Sequence, residues 1–216
     1  RSRFIALSEF GPRNVIYHEG MRYQVNRVLL QPIEGQVGDA LTRSAKLCTA
    51  CGQVHPLAAN DAGPDRCVRC DEPLGPAWTN LFRMRNVSTV RRDRINCDEE
   101  ERLRMGYELR TAISYDPTET DRCRQAVAAG ADGQPLLTLV HVHAAEIWLL
   151  NLGWRSRAPG RPEGFVLDTT DGRWAKLDEE PDDDEQPLGK HTQRVVPYVE
   201  DRCNALLVEP AQPLDV

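Results

Sequence analysis

Two Cys-x-x-Cys pairs, Cys48/Cys51 and Cys67/Cys70, stand fifteen residues apart within the stretch from Leu47 to Leu74. Two thiolates at that spacing can grip one metal from a single tight turn, and a second such turn completes the tetrahedron that zinc prefers, with Zn–S bonds of about 2.3 Å. The residues around them suit two facing knuckles: Gly52 follows the first pair, and Asn60, Asp61, Gly63 and Pro64 make a turn-rich tip. Four unrelated core or redox cysteines, or paired disulfides, are the competing readings; the spacing favours one zinc ion. Four thiolates would leave no open coordination position, so such a site is expected to be structural rather than catalytic.

The rest of the chain has to supply a fold around that staple. With 216 residues, it is long enough for one large or two small domains. It begins at Arg1, which leads us to expect a piece of a longer protein. No apolar run approaches the length that spans a bilayer and no signal peptide is visible. Seven cysteines, four of them in a metal pattern, point to a reducing, cytoplasmic setting. The remaining Cys97, Cys123 and Cys203 read as ordinary thiols. A net charge of −6 argues against a uniformly basic nucleic-acid binder while leaving room for a local basic face.

Periodicity predicts strands. Val15–His18, a Glu19-Gly20 turn and Arg22–Leu30 read as a β-hairpin, because apolar and aromatic residues alternate on either side of the turn. Tyr107–Tyr115 resumes the alternation. Leu136–Leu150 is the most apolar stretch and reads as a central strand bent at Ala144-Ala145. Phe165–Asp168 and Arg173-Trp174 flank another turn, and Arg194–Val199 and Asn204–Val208 read as two further strands. Arg1–Pro12 reads as a lead-in segment and Asp116–Gln134 as a polar loop. Asp98–Glu101 followed by Arg102 and Arg104 reads as a short helix over Asp98–Gly106, with acids at its start and arginines at its end to complement the dipole. That account of the acids stands against a divalent-ion nuclease site. His18, and the pair His141 and His143, read as strand residues rather than ligands. The run Asp178–Glu185 is too acidic to bury and reads as a solvated loop.

Between Leu81 and Ile95 lies the most basic window, with five arginines, Arg83, Arg85, Arg91, Arg92 and Arg94, against the single acid Asp93. On a strand, Arg92 and Arg94 would share a face and could present guanidinium groups to phosphates; a solvated edge strand is the alternative. No phosphate-binding loop, dinucleotide fingerprint, His-Glu-x-x-His or nucleophile elbow is present. The chain by itself is therefore expected not to be an enzyme.

A resemblance now becomes visible. Phe10–Gly20 followed by Tyr23-x-Val25, Asp98–Glu101-Arg102-x-Arg104-x-Gly106-Tyr107-Glu108, Ile147-Trp148-x-x-Asn151-x-Gly153-Trp154, Gly164–Asp168, and Val196–Arg202-x-Asn204-Ala205-Leu206 resemble, in this order, blocks of certain bacterial superfamily-two helicases. These carry an MrfA-type zinc-binding region, and the DISARM phage-defence helicases of the DrmA type are the most similar group. The motor's Walker loop, acidic box and arginine fingers are missing. The resemblance thus implies an accessory region downstream of the motor, in a helicase or translocase that takes part in antiviral defence. It also implies DNA, the rest of the helicase chain and a partner subunit as the things it meets.

The expectation is a β-rich α+β fold, built of hairpins or a small barrel-like sheet with an inserted four-cysteine zinc-ribbon module. Its parts are a hairpin segment over 1–46, the zinc module over 47–76 and a β-rich core with a short helix over 77–177. An acidic linker or loop over 178–193 and terminal strands over 194–216 follow. The metal ligands are Cys48, Cys51, Cys67 and Cys70, and the candidate DNA contacts are Arg83, Arg85, Arg91, Arg92 and Arg94. The competing function is a zinc-containing protein–protein assembly module that binds no nucleic acid.

Overall fold

The computed structural model describes residues 2–30, 42–92, 106–176 and 188–212. Among these described residues, one short helix, α1 (Arg3–Glu9), precedes eleven strands: β1 (Val15–His18), β2 (Met21–Val28), β3 (Thr42–Leu47), β4 (Val54–Leu57), β5 (Trp78–Arg83), β6 (Val87–Arg92), β7 (Tyr107–Ser114), β8 (Cys123–Ala129), β9 (Pro135–Trp154), β10 (Phe165–Asp168) and β11 (Thr192–Pro210). The fold is β-rich, as the alternation predicted. β1, β2 and β6 form a three-stranded sheet; a second sheet runs in the order β4-β3-β5-β11-β9-β7, with β10 on β11 and β8 on β9.

The first hairpin forms where the sequence places it. His18 pairs with Met21 across the two-residue turn Glu19-Gly20. Both turn residues have positive φ, +48° and +74°, the primed-turn geometry whose twist matches the flanking strands. The central strand also bends where expected, since Ala144 within β9 has φ +58°.

Three expectations need correction. The lead-in segment contains α1, seven residues with no acid in its first turn; Ser2 stands at the N-cap but makes no side-chain cap, so the helix-start signals are weak. The polar loop Asp116–Gln134 contains β8, paired with β9 from Cys123↔Val142 to Ala129↔Pro135. Most of the β8 side chains are exposed, so no apolar alternation marks the strand. The two C-terminal strands are one, β11, because the polar run Glu200–Asn204 continues as exposed strand. The helix expected over Asp98–Gly106, the acidic run Asp178–Glu185, Cys97 and Arg94 lie outside the described residues, apart from Gly106.

The chain divides into two compact units. The first comprises Arg1–Ala45, Trp78–Thr111 and Leu149–Val199. Its core joins Val28, Phe82, Leu167 and Val195 to the aromatic side chains of Tyr107, Trp154, Phe165 and Trp174. Tyr107 and Trp154 lie 4.7 Å apart, and Phe165 meets Trp154 and Trp174 edge-on at 5.9 and 6.1 Å, spacings at which aromatic quadrupoles attract. The Tyr107 hydroxyl donates to Pro12 O at 2.8 Å, so this buried ring keeps its polar tip satisfied. The β10 turn docks against β2 through Val28 N–H to Gly172 O at 2.8 Å and Trp174 N–H to Asn26 O at 2.9 Å. Gly172 sits at φ +77°, and a Cβ there would run into the Val28 carbonyl. Only glycine fits this close approach.

The second unit comprises Lys46–Ala77, Ala112–Trp148 and Glu200–Val216. Ile113, Val140, Val142 and Ala145 are its buried centre, with Tyr115, Cys123, Ile147, Ala205 and Leu207 packed around them. It contains all four cysteines of the two pairs.

Candidate metal centre

The two cysteine turns share one backbone plan. In the first, Cys48 N–H donates to Gln53 O at 2.9 Å and Gly52 N–H to Cys48 O at 3.0 Å. In the second, Cys67 N–H donates to Glu72 O at 2.9 Å and Asp71 N–H to Cys67 O at 2.9 Å. The residue after each pair takes the left-handed conformation: Gly52 at φ +75° and Asp71 at φ +59°. Glycine does so freely, and aspartate is among the few residues that tolerate it. Gly52 was legible in the sequence, whereas Asp71 in the equivalent position was not.

β3 delivers Cys48 and β4 leaves the first turn, while the second is braced by Lys46, whose Nζ donates to Pro64 O at 2.9 Å. The four Sγ atoms converge, all within 4.8 Å of one another. Cys48 Sγ lies 3.5 Å from Cys70 Sγ and Cys51 Sγ lies 3.6 Å from Cys67 Sγ. A tetrahedron with metal–sulfur bonds of about 2.3 Å has sulfur–sulfur edges of about 3.8 Å, so the sulfur atoms already sit near the corners a single ion requires. A disulfide would need about 2.05 Å, and all four are free thiols. The competing readings of scattered core thiols and of disulfides both fail on this geometry. The site is a four-cysteine metal-type cluster, and it is the group of this kind found among the described residues.

Its electrostatics suit a cation. Burial works against a Cys48 thiolate. Hydrogen bonds from the Cys51 and Ala50 N–H groups, and from the Cys70 and Cys51 thiols, outweigh that burial and bring Cys48 down to about 7. Burial pushes Cys51 far up, with its thiol neighbours adding to the rise. At Cys70 the Glu72 N–H favours the thiolate, but burial and the Cys48 and Cys67 sulfurs raise it on balance. Sulfur atoms this close compete for negative charge, and a bound divalent cation removes that conflict.

A ring of interactions outside the sulfurs fixes the two turns, and sequence reasoning missed it. Arg69, between Cys67 and Cys70, donates from Nη1 to Cys51 O at 2.9 Å. Its Nη2 pairs with Glu209 near the end of β11, and its guanidinium lies over the Tyr115 ring at 5.9 Å. The first turn is held in the same region by Ile113 N–H to Gly52 O at 3.0 Å and by Gln53 Nε2 to Tyr115 O at 2.6 Å. Arg69 was invisible in advance because a residue inside the motif carries no pattern of its own.

The arginine window is split by the fold. Arg83 ends β5 and Arg85 is exposed on the β5–β6 connection, while Arg91 and Arg92 end β6. On the three-stranded sheet Tyr17 pairs with Arg22 and Arg22 with Arg92, so these three side chains form one rung on one face. Arg91 belongs to the next rung with Tyr23 and Ile16, on the opposite face, where its Nη2 contacts Met21 Sδ at 3.1 Å. Arg92 donates from Nε to Gln24 Oε1 at 3.0 Å. Arg22 is therefore the partner that the linear window could not reveal. His141 and His143 are exposed on β9 and His18 is exposed beside its turn.

Comparison with protein-family models, curated proteins and solved structures finds no match.

Proposed function

We propose that this chain is the zinc-stabilised accessory domain of an ATP-dependent DNA helicase or translocase in antiviral defence. It contacts the DNA backbone or a partner subunit while a separate motor hydrolyses ATP, and it performs no catalytic step itself. Zinc is favoured by four converging thiols, which leave no place for a substrate in a tetrahedral shell. The ordered blocks that resemble those of superfamily-two helicases support the parent activity, and in this reading ATP hydrolysis belongs to the motor of the parent protein.

The observation that carries DNA contact is the rung Tyr17–Arg22–Arg92. Arg22 and Arg92 stand directly opposite one another on one face, and a phosphate could bridge their two guanidinium groups. Arginine forks match phosphate oxygens, which suits backbone contact without sequence readout.

The test is fluorescence anisotropy of single- and double-stranded oligomers across a salt series. Affinity should fall linearly with salt on a logarithmic scale. Replacing Arg22, Arg91 and Arg92 by alanine should lower the slope by about 0.7 to 0.9 for each phosphate that is no longer neutralised. No binding at low salt would leave the assembly module as the better reading. One observation favours that second reading: Val127, Leu136, Leu206 and Val208 of the second unit are each more than half exposed.

A further inference from the structure

β8 forms a margin of the sheet in the second unit: it pairs with β9, and among the described residues no strand pairs with its other side. One bond fixes the direction of its main-chain groups. His143 N–H donates to Arg122 O at 2.8 Å. Continuing the register Cys123↔Val142, the groups that reach β9 therefore belong to Arg124, Ala126 and Ala128. Those of Gln125 and Val127 point away from the sheet. Both residues are exposed, Val127 to 58%. The devices that usually blunt such an edge are missing from its middle. The strand holds no proline or lysine, Arg124 is its one charge, and its bulge falls at the end, between Ala128 and Ala129.

We propose that β8 is the seam of a reversible homodimer, pairing antiparallel with β8 of a second copy of this chain about a twofold axis at Ala126. The proposal stands independently of DNA contact. The strand is complementary to itself in this register, which favours a second copy over another partner. With Ala126, the middle of Cys123–Ala129, facing its own counterpart, Gln125 stands opposite Val127 of the second copy. The outward main-chain groups of these two residues then meet and exchange N–H···O bonds in both directions. Ala126 takes the non-hydrogen-bonded position, where Cα atoms approach to about 4.5 Å and a small side chain fits. Arg124 falls opposite Ala128 rather than opposite its counterpart, so no like charges meet. The Gln125 stem of the second copy covers Val127 and takes part of its exposed apolar surface out of water. A single seven-residue strand makes a small interface, below the roughly 1,200 Å² at which standard ones begin, so the dimer is weak and concentration-dependent.

Sedimentation velocity of the full chain tests this, with reductant present so that the exposed Cys203 cannot link copies. The expected result is monomer at about 1 µM and a dimer fraction that grows towards about 100 µM, the weak end of specific association. Ala126→Lys sets two ammonium groups face to face across the axis. Val127→Pro removes an outward N–H while leaving the bonds to β9 in place. Each should raise the dissociation constant by about tenfold or more. Both positions are exposed in the single chain, and circular dichroism checks that each variant is folded. Mixing Ala126→Lys with Ala126→Glu should restore association, because position 126 of one copy then meets its opposite charge in the other. Monomer throughout the range overturns the proposal. So does a dimer that neither substitution weakens, which would put the contact elsewhere, and so does a mixed pair that fails to associate.

Discussion

Arg69 Nη1 donates to the main-chain carbonyl of Cys51 at 2.9 Å, so one cysteine turn is fastened to the other by a side chain as well as by any shared ion. The Arg69 side chain is only 12% exposed, and removing it strands the Cys51 carbonyl and Glu209. Arg69→Ala should therefore destabilise the protein by about 2 to 3 kcal/mol. As the group orienting a ligand's backbone, its loss should also weaken metal retention by about 10- to 100-fold. Urea unfolding and competition with a chromogenic chelator measure the two effects. Arg69→Lys should not restore them, since an ammonium cannot reach both acceptors with a planar fork.

Metal removal should have a larger consequence. Protein purified without added metal should contain about one zinc ion per chain, as four thiolates in a tetrahedral shell imply. Stripping it at neutral pH should unfold the cysteine turns, because binding energy at such sites is folding energy. Cys67→Ser should mimic the stripped state. Atomic emission gives the stoichiometry, and near-ultraviolet circular dichroism reports the fold. Iron in place of zinc would correct the ion, since four sulfur atoms suit either. A metal-free protein of equal stability would remove the site.

Two glycines should respond differently to alanine. At Gly52, φ is +75° and nothing lies within reach of a new Cβ, so Gly52→Ala should cost only the conformational penalty, about 1 to 2 kcal/mol. At Gly172 the same penalty is joined by a clash with the Val28 carbonyl. This main-chain atom accepts no easy displacement, so Gly172→Ala should cost upwards of about 4 kcal/mol, the scale of the most damaging substitutions. Thermal melts of the two variants side by side give the comparison.

Asp168 makes stability depend on acid. Its carboxylate is buried, which opposes ionisation, yet the Thr170 and Gly189 N–H groups, the Thr170 hydroxyl and the nearby Arg173 guanidinium outweigh burial and hold it below the ordinary carboxylate value. The two N–H contacts measure 2.9 and 2.5 Å. A depressed folded-state pKa contributes stability that is fully present above the unfolded value, about 3.9, and is lost as pH falls through the folded value. Asp168→Asn should therefore lower the urea midpoint at pH 6, with the gap to wild type closing below about pH 4. A constant gap over that range would mean the carboxylate charge is not what matters.

Much of this fold is local enough to read from the chain. The Glu19-Gly20 turn and the cysteine spacing each state their geometry within a few residues, and both form as written. What escaped depends on distant partners. Nothing near Cys123–Ala129 announces β8, whose side chains face outward and whose pairing comes from β9. The Glu200–Asn204 run looks like a break because it is polar, but the backbone extends through it. The metal cluster was legible as four residues, and its bracing by Arg69, Gln53 and Tyr115 was not, because those contacts bring together positions up to 140 apart. The basic window was legible as composition, yet the rung depends on Arg22, seventy positions from Arg92.

The matching backbone plan of the two cysteine turns has a kinetic consequence. Each turn is a complete bidentate claw, so an arriving ion has two equivalent landing places. Once one claw has captured it, the other acts at the effective concentration fixed by the short segment between them. Release runs in reverse: one claw must open while the other holds, and rapid recapture makes full escape rare. Uptake should accordingly be fast and exchange slow, the behaviour of a chelator assembled from two copies of one loop.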